Sequence, residues 1–163
     1  MNTSQNSTSE HIYRQYTEKD AVGVKQCLLV LQNFVNNLEP QLMAKGEDVY
    51  DSYFEFLVNE VAKKNGKIFV AESNNEIVGF IAFYFTKDEY ESSKALYISD
   101  LVVLEKFRGL GVGSNLLKFA DEHAKQQGTK FVKIGALAKN HNAIDLYRKK
   151  GFVDYAVTLL KIL

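Results

Sequence analysis

Three glycines stand directly behind an arginine in the stretch RGLGVGS, residues 108–114, just before an apolar pattern of helical period. Glycine costs about 0.5–1 kcal/mol relative to alanine inside a regular element, so this density indicates a tight turn or a close approach of the backbone. A strand, a glycine turn and a helix N-terminus bring free backbone N–H groups to the positive end of a helix dipole. The stretch therefore predicts an anion site, with phosphate as the natural candidate.

Two common phosphate-binding motifs do not fit this loop. A P-loop requires a lysine directly after its last glycine, whereas Ser114 and Asn115 follow Gly113. The dinucleotide motif GxGxxG differs in spacing, because Gly109, Gly111 and Gly113 give GxGxG, and no acidic residue closes the next predicted strand. Nucleoside triphosphate hydrolysis and dinucleotide binding are therefore disfavoured.

Hydrophobic periodicity predicts the helices and strands that position this loop. Thr17 and Asp20 are typical of a helix N-cap, and the asparagines at 74 and 75 tolerate the positive φ of a hairpin turn. The predicted elements are a strand at 11–16, helices at about 20–38 and 50–65, a hairpin of strands 67–72 and 76–86, a strand at 95–104, a helix ending before 128, a strand at 131–137, a helix at 140–150, and an apolar stretch, Phe152 to Leu163, containing at least one strand. The polar residues 1–10 are predicted to be a disordered tail, and residues 11–163 a single domain.

The composition is that of an ordinary globular protein of 163 residues. Its 20 Lys and Arg residues balance 20 Asp and Glu residues, which disfavours a general nucleic-acid-binding protein. Residues 1–100 nonetheless carry 9 basic and 15 acidic residues, and residues 101–163 carry 11 and 5, so the net charges are −6 and +6. Such a split can arise by chance, but it also suits a second half that binds an anion and a first half that meets a cation.

Apolar segments, cysteine and histidine indicate the cellular compartment of the protein and whether it holds a disulfide or a metal. No export signal and no long apolar segment is recognisable, so we expect a cytoplasmic protein with no membrane partner. Cys27 is the single cysteine, which excludes an internal disulfide, and its place on the inner face of the first helix predicts a buried thiol. His11, His123 and His141 have no metal-ligand spacing, so we predict no metal.

Read from its arginine, RGLGVG fits the pattern R/Q-x-x-G-x-G/A, and the sequence resembles the GNAT superfamily of acyl-CoA-dependent N-acetyltransferases. YISDLVVLEKFRG resembles the family's fourth strand and its exit to the pyrophosphate loop, and NHNAIDLYRKKGF matches N-x-x-A-x-x-x-Y-x-x-x-G-F. The resemblance covers roughly residues 11–163. It implies an α/β (α+β) fold with a mixed, twisted, mostly antiparallel sheet flanked by helices, and fourth and fifth strands that splay apart around the pantetheine arm of acetyl-CoA.

The resemblance also assigns the residues that bind acetyl-CoA, the acetyl donor. The pyrophosphate would meet backbone N–H groups of Gly109, Leu110, Gly111, Val112, Gly113 and Ser114, where a β-carbon at Gly111 or Gly113 would stand in the way. Leu101, Val102 and Val103 would lie beside the pantetheine, with a backbone N–H near Val103 polarising the thioester carbonyl. Arg108 would add charge, unless it is a solvated loop arginine. Asn140 would contact the CoA arm, although helix capping alone explains an asparagine there.

The catalytic candidates come from the same resemblance. Tyr147 matches the tyrosine that protonates the departing thiolate, and the alternative is a tyrosine that only packs in the core. The family's strand glutamate is replaced by Tyr97 or Ser99, neither of which is a base at neutral pH. Asp100 is the nearest carboxylate, but strand alternation predicts that it faces away from Ser99, which favours a structural role. Ordered water or Glu39 are further candidates for removing the proton.

The resemblance predicts an N-acetyltransferase in which a primary amine of a small molecule or peptide attacks acetyl-CoA directly in a ternary complex. A non-catalytic acyl-CoA-binding or sensing module is the alternative. Acidic residues around the first two helices, Glu39, Glu47, Asp48, Asp51 and Glu55, favour a cationic acceptor if they face the cleft, and are otherwise solvated helix faces. No nucleic acid is expected as a partner, and a homodimer is left open.

Overall fold

A five-stranded mixed sheet in the order β1-β2-β3-β4-β5 forms the centre of the computed structural model, which describes residues 11–89 and 91–163. The strands are β1 Ile12–Gln15, β2 Lys67–Ser73, β3 Glu76–Thr86, β4 Ala95–Val103 and β5 Val132–Ile134. The first four strands are antiparallel, and β5 is parallel to β4. This arrangement confirms the predicted α+β class, whereas the predicted tail at 1–10 lies outside the described residues.

Four helices flank the sheet: α1 Ala21–Leu38, α2 Gly46–Lys63, α3 Val112–Gln126 and α4 His141–Lys149. Short 3-10 turns precede α1 at Glu18–Asp20 and α3 at Glu105–Phe107. The predicted helices are confirmed, because an apolar residue every third or fourth position gives each of them a face to bury. Buried side chains of α1 and α2, among them Val24, Leu28, Phe54 and Leu57, cover one face of the sheet, and Leu116, Leu117 and Ala120 of α3 cover the other.

The predicted hairpin between β2 and β3 is also confirmed. Asn74 and Asn75 have φ of 51° and 64°, the left-handed conformation that a two-residue hairpin turn requires. Ser73 pairs with Glu76 across the turn.

A β-bulge at Ser99 changes the alternation of β4. Ala82 of β3 pairs with Asp100 and the next residue, Phe83, pairs with Ile98, so Ser99 is an extra residue. Tyr97 and Val102, five residues apart, consequently both pack against the α1–α2 face, which strict alternation forbids. The prediction that Asp100 faces away from Ser99 rests on this strict alternation and is therefore wrong: the bulge interrupts the alternation between the two residues, and Asp100 lies on the α1–α2 side, where it meets Tyr53.

The predicted splay of the fourth and fifth strands follows from their different lengths. β5 pairs with β4 from Leu96 opposite Val132 to Ile98 opposite Ile134. Beyond this point β5 ends, whereas β4 continues past its bulge to Val103. The last five residues of β4 therefore border a gap instead of a strand.

The prediction of a strand within the last apolar stretch is wrong for this chain on its own. Residues 152–163 form neither helix nor strand. Gly151 (φ 92°) ends α4, and the Phe152 N–H donates to the Tyr147 carbonyl at 3.1 Å, so Phe152 packs back onto the core. The residues after Phe152 are exposed, because the three-residue β5 offers them little backbone to pair with.

Candidate active site

The gap between β4 and β5 is the centre of the candidate site. Among the described residues, 99–103 of β4 have no pairing partner on the β5 side, so their backbone groups on that side, apart from the Val103 carbonyl, which accepts from Arg108, are available to a ligand. Leu101 and Val103 pack toward the α3 face, and Val102 is buried toward the α1–α2 face. The three residues predicted to lie beside pantetheine are thus at the gap, and their contact with it stays a prediction.

The glycine loop adopts the left-handed conformation that its composition predicts. Gly109 and Gly111 have φ of 76° and 81°, and a Cβ at either would meet no protein atom within 4 Å. Backbone conformation, not crowding by the protein, therefore requires glycine at these two positions. Leu110 between them is exposed.

Free N–H groups mark the junction of this loop with α3. The Asn115 N–H donates to the Gly111 carbonyl at 3.0 Å, so the N–H groups of Val112, Gly113 and Ser114 precede the first helical hydrogen bond. They lie at the positive end of the helix dipole, where an anion is stabilised. Their contact with a pyrophosphate stays a prediction.

Gly113 differs from the other two loop glycines. A Cβ there would lie 3.6 Å from Val103 Cγ2 and 3.7 Å from Leu146 Cδ2, which are ordinary van der Waals distances. The protein therefore has room for a methyl group at Gly113, between the end of β4 and α4. The predicted obstruction of a ligand at this position is not tested by these contacts.

Arg108 ties the loop to the end of β4. Its Nε donates to the Val103 carbonyl at 2.9 Å, while the side chain remains exposed. The residue is thus more than a solvated loop arginine, because it holds the strand exit against the glycine turn.

Asp100 is a buried carboxylate on the α2 side of the gap, and it is only 5% exposed. The Tyr53 hydroxyl donates to Asp100 Oδ2 at 3.0 Å and lies 3.3 Å from Oδ1. Burial raises the Asp100 pKa to about 6, and the hydrogen bonds from Ser99 and Tyr53 act in the opposite direction. The tyrosines that sense this charge come from α2, β3, β4 and α4 and are Tyr53, Tyr84, Tyr97 and Tyr147.

Tyr53 is a site residue that the sequence pattern did not identify, since it reads as one more apolar position on the inner face of α2. The only signal was its type, because a buried tyrosine generally places its hydroxyl on a polar partner. Burial, together with the Asp100 charge, raises the Tyr53 pKa, so this hydroxyl stays a donor.

Tyr147 lies on α4, whose Leu146 comes close to Gly113 and to Val103 at the end of β4. Burial raises its pKa to about 12, with a further contribution from the Asp100 charge, which places both groups within electrostatic reach. Its ring contacts Phe152 with centroids 6.0 Å apart. Within residues 11–89 and 91–163 its hydroxyl has no hydrogen-bond partner, so Tyr147 is a protonated donor open to a ligand.

The polar groups of Asn140 and Glu39 both have partners within the protein. Asn140 Oδ1 accepts from the Ala143 N–H at 3.3 Å, which confirms the predicted cap of α4 and leaves its contact with CoA as a prediction. Glu39 forms an ion pair with Lys139 at 3.0 Å, and Lys139 Nζ also donates to the Leu38 carbonyl at 3.2 Å. The Glu39 carboxylate is therefore already engaged by Lys139, which makes Asp100 the better candidate for a base.

Other candidate chemistries find little support in the structure. Burial raises the pKa of the Cys27 thiol to about 12, so this cysteine is not a nucleophile. In the described part of the chain, no three His, Cys, Asp or Glu side chains are grouped so that they could hold a metal ion. None of the helices there has both the length and the apolar character to cross a membrane.

Comparison with known proteins places this geometry in a family. A family model described as the acetyltransferase (GNAT) family matches residues 31–152. An uncharacterized N-acetyltransferase of Methanocaldococcus jannaschii is 31% identical over 64% of this chain, which spans 46% of that relative's length. The aminoalkylphosphonate N-acetyltransferase of Salmonella typhimurium is 27% identical over 68% of this chain and 71% of its own. The solved structure of a putative acetyl transferase from Pyrococcus furiosus, 26% identical, superposes with a TM-score of 0.73 over 94% of this chain and 100% of that one.

Proposed function

The chain belongs to the acetyltransferase (GNAT) family, and on that premise we propose that it is an acetyl-CoA-dependent N-acetyltransferase acting on a primary amine of a small molecule or peptide. One observation carries the proposal. A buried carboxylate, Asp100, lies in the part of β4 that has no partner on the β5 side, its charge is felt by the protonated phenol of Tyr147, and free N–H groups lie at the start of α3. Acetyl transfer from a thioester to an amine needs a proton acceptor and a proton donor, and binding of CoA needs an anion site; these three features would supply them.

The glycine loop supports the binding of acetyl-CoA. The N–H groups of residues 112–114 would hold the pyrophosphate, and the unpaired backbone of residues 99–103 would hydrogen-bond the pantetheine amides. A backbone N–H near Val103 would hold the carbonyl oxygen. Bound acetyl-CoA supplies the activated acetyl group for direct attack, since Cys27 is unsuited to carry it.

The two titratable groups divide the proton transfers between them. Asp100, with a pKa of about 6, is largely ionised at neutral pH and accepts a proton from the attacking amine. The amine nitrogen bonds to the acetyl carbon as the carbon–sulfur bond breaks. Tyr147, with a pKa of about 12, donates its proton to the leaving thiolate. A pKa below neutrality for Asp100 and one above it for Tyr147 support these roles of base and acid.

The acceptor is best described as a small amine. The Salmonella relative is named for an aminoalkylphosphonate substrate, which supports a small-molecule acceptor here. Glu39 and the acidic first turn of α2, Glu47 and Asp48, place negative charge beside α1 and α2, which supports an acceptor with a positive charge.

The proposal is tested by following free-thiol release from acetyl-CoA with a panel of amines that includes polyamines, aminoglycosides, amino acids and an aminoalkylphosphonate. Thermal stabilisation by acetyl-CoA, compared with ATP and NAD at the same concentration, measures donor binding separately. We expect selective stabilisation by acetyl-CoA and turnover with at least one amine. Stabilisation without turnover on any amine would favour an acyl-CoA-binding module, and no selective stabilisation would overturn the proposal as a whole.

A further inference from the structure

The side chain of Tyr97 lies at the start of the gap between β4 and β5. Tyr97 pairs in register with Lys133 of β5 and packs on the α1–α2 face of the sheet. A Cβ at Gly135, the residue directly after β5, would lie 3.8 Å from the Tyr97 hydroxyl oxygen. The hydroxyl therefore reaches the end of β5, where the gap begins.

The protein makes no use of this hydroxyl. In residues 11–89 and 91–163 it has no hydrogen-bond partner, and the Tyr97 ring meets the Tyr84 ring at an angle, with centroids 5.8 Å apart. Burial, together with the Asp100 charge, raises the Tyr97 pKa, so the group is a neutral phenol. Because a partly buried tyrosine usually places its hydroxyl on a polar partner, an unpartnered one marks a place for a ligand.

The two faces of the sheet separate this phenol from the predicted donor site. The free N–H groups proposed for the pyrophosphate belong to α3, and Leu101 and Val103 pack toward that helix. Tyr97 and Asp100 lie on the opposite side, beneath α1 and α2, where Asp100 meets the Tyr53 hydroxyl. A donor held at α3 approaches the gap from one face, which leaves the face of Tyr97 to the acceptor.

No free cation lies beside Asp100 on this face. Among the described residues, no Lys, Arg or His side chain pairs with its carboxylate. Lys64 lies over a tyrosine ring of β3 and is paired with Glu60 at 2.5 Å. Lys133, the register partner of Tyr97, is paired with Glu91. A second negative charge brought next to Asp100 would therefore find nothing to balance it.

We propose that Tyr97 binds the acceptor, its hydroxyl oxygen accepting a hydrogen bond from the amine N–H beside Asp100, and that the site takes primary amines with no carboxylate next to the nitrogen. This inference rests on the proposed function and adds to it a binding residue and a substrate class. An α-amino acid would bring its carboxylate against Asp100, and like charges so placed are strongly unfavourable. Alkylamines and amino-terminal amides carry no such charge.

Three acceptors with the same straight carbon chain test the substrate class: n-pentylamine, L-norleucinamide and L-norleucine. Free-thiol release is followed at saturating acetyl-CoA, with rates expressed per concentration of unprotonated amine. We expect turnover of the first two, and a kcat/KM for L-norleucine about 10²-fold below that for L-norleucinamide, from which it differs only in its carboxylate. Equal values for the amide and the acid would overturn the proposal.

The wider amine panel separates a failure of this inference from a failure of the proposed function. If another amine is acetylated while n-pentylamine and L-norleucinamide are not, the inferred substrate class is wrong and the proposed function stands. No turnover of any amine would overturn both.

Tyr97→Phe tests the residue, because it keeps the ring and removes the hydroxyl. We expect the KM for L-norleucinamide to rise about three- to tenfold, the effect of one lost hydrogen bond, with the KM for acetyl-CoA and the melting temperature unchanged. Tyr16→Phe is the matched control, since Tyr16 packs on the same face against Phe54, and it should change none of the three. An unchanged amine KM in Tyr97→Phe, or equal changes in both KM values, would assign Tyr97 to packing and overturn its role.

Discussion

At the residue scale, the hydroxyl of Tyr147 is the group whose removal should separate chemistry from binding. Tyr147→Phe keeps the ring and its contact with Phe152 but removes the proton that the leaving thiolate would take. We expect kcat to fall by about 10²-fold with acetyl-CoA affinity almost unchanged. Single-turnover kinetics and calorimetric titration measure the two effects. Unchanged turnover would assign Tyr147 to the core alone.

Tyr53 should act through the pKa of Asp100. Its hydrogen bond stabilises the ionised carboxylate, so Tyr53→Phe should raise the Asp100 pKa further above its ordinary value. Because the ionised form is the base, kcat/KM in the parent should fall as the pH drops through about 6, and in Tyr53→Phe this fall should begin at higher pH. Tyr50→Phe, on the same helix, is the matched control and should leave the pH profile in place. An identical profile for Tyr53→Phe and parent would contradict this role.

At the scale of an element, the glycine turn before α3 distinguishes two kinds of glycine. Gly111→Ala forces a β-carbon into φ of 81°, at a cost of roughly 1–2 kcal/mol, and should weaken donor binding by displacing the N–H groups. Gly113→Ala should fold normally, because its methyl group meets Val103 and Leu146 at ordinary distances. Gly128→Ala, at φ of 72° beyond the end of α3, controls for strain alone.

Thermal shifts with and without acetyl-CoA compare the three glycine variants. Gly128→Ala should melt at a lower temperature than the parent, but acetyl-CoA should raise its melting temperature as much as it does for the parent. Gly111→Ala should also melt at a lower temperature, and acetyl-CoA should raise its melting temperature much less. If acetyl-CoA raises the melting temperature of Gly111→Ala as much as that of the parent, the glycines are needed only for the conformation of the turn and not for donor binding.

The start of α1 is held to the sheet by an ion-pair cluster that should respond to acid. Arg14 of β1 contacts Asp20 at 2.7 Å and Glu72 of β2 at 2.6 Å, and this guanidinium lowers the Asp20 pKa to about 2. A lowered pKa contributes stability that is present above about pH 4 and is lost as the pH falls toward 2.

Asp20→Asn should therefore lower the free energy of unfolding at pH 7 by roughly 1–2 kcal/mol, since the partly exposed Arg14 limits the gain. The difference between variant and parent should shrink between pH 4 and pH 2 in urea denaturation. A difference independent of pH would mean that the Asp20 carboxylate contributes nothing through its charge.

At the scale of the whole molecule, an ion pair between the end of α1 and the residue before the cap of α4 joins the two oppositely charged halves of the chain. Glu39 at the end of α1 pairs with Lys139 of the second half, whereas Asp51 pairs with Lys25, so both partners of this second pair lie in the first half. If the acidic half attracts a cationic amine, Glu39→Gln should raise the acceptor KM more than Asp51→Asn does. Both effects should weaken in high salt, which screens exposed charges. If the acceptor KM is the same for Glu39→Gln, Asp51→Asn and the parent and does not change with salt, the acceptor is not a cation attracted by these carboxylates.

Local signals explain why much of the fold could be predicted from the sequence. Helices α1 to α4 follow from apolar spacing over three or four residues, the hairpin turn from Asn74 and Asn75, and the loop conformation from Gly109 and Gly111. Each of these depends on neighbours in the chain, because periodicity and backbone preference are properties of short segments. The family motif around Asn140 and Tyr147 was visible for the same reason.

Contacts between distant segments were decided only by the tertiary structure. The bulge at Ser99 arises from the pairing of β4 with β3, and it reverses the face that alternation predicts for Asp100. The hydrogen bond from Tyr53 to Asp100 joins residues 47 positions apart, and the ion pair of Glu39 with Lys139 joins residues on opposite halves of the chain. The apolar stretch from Phe152 has strand-forming composition, but a strand also needs a partner, and the three-residue β5 offers too short an edge. The sequence thus determined the elements and the chemistry they carry, while packing determined which side chains meet at the gap, because no local pattern encodes strand register or long-range pairing.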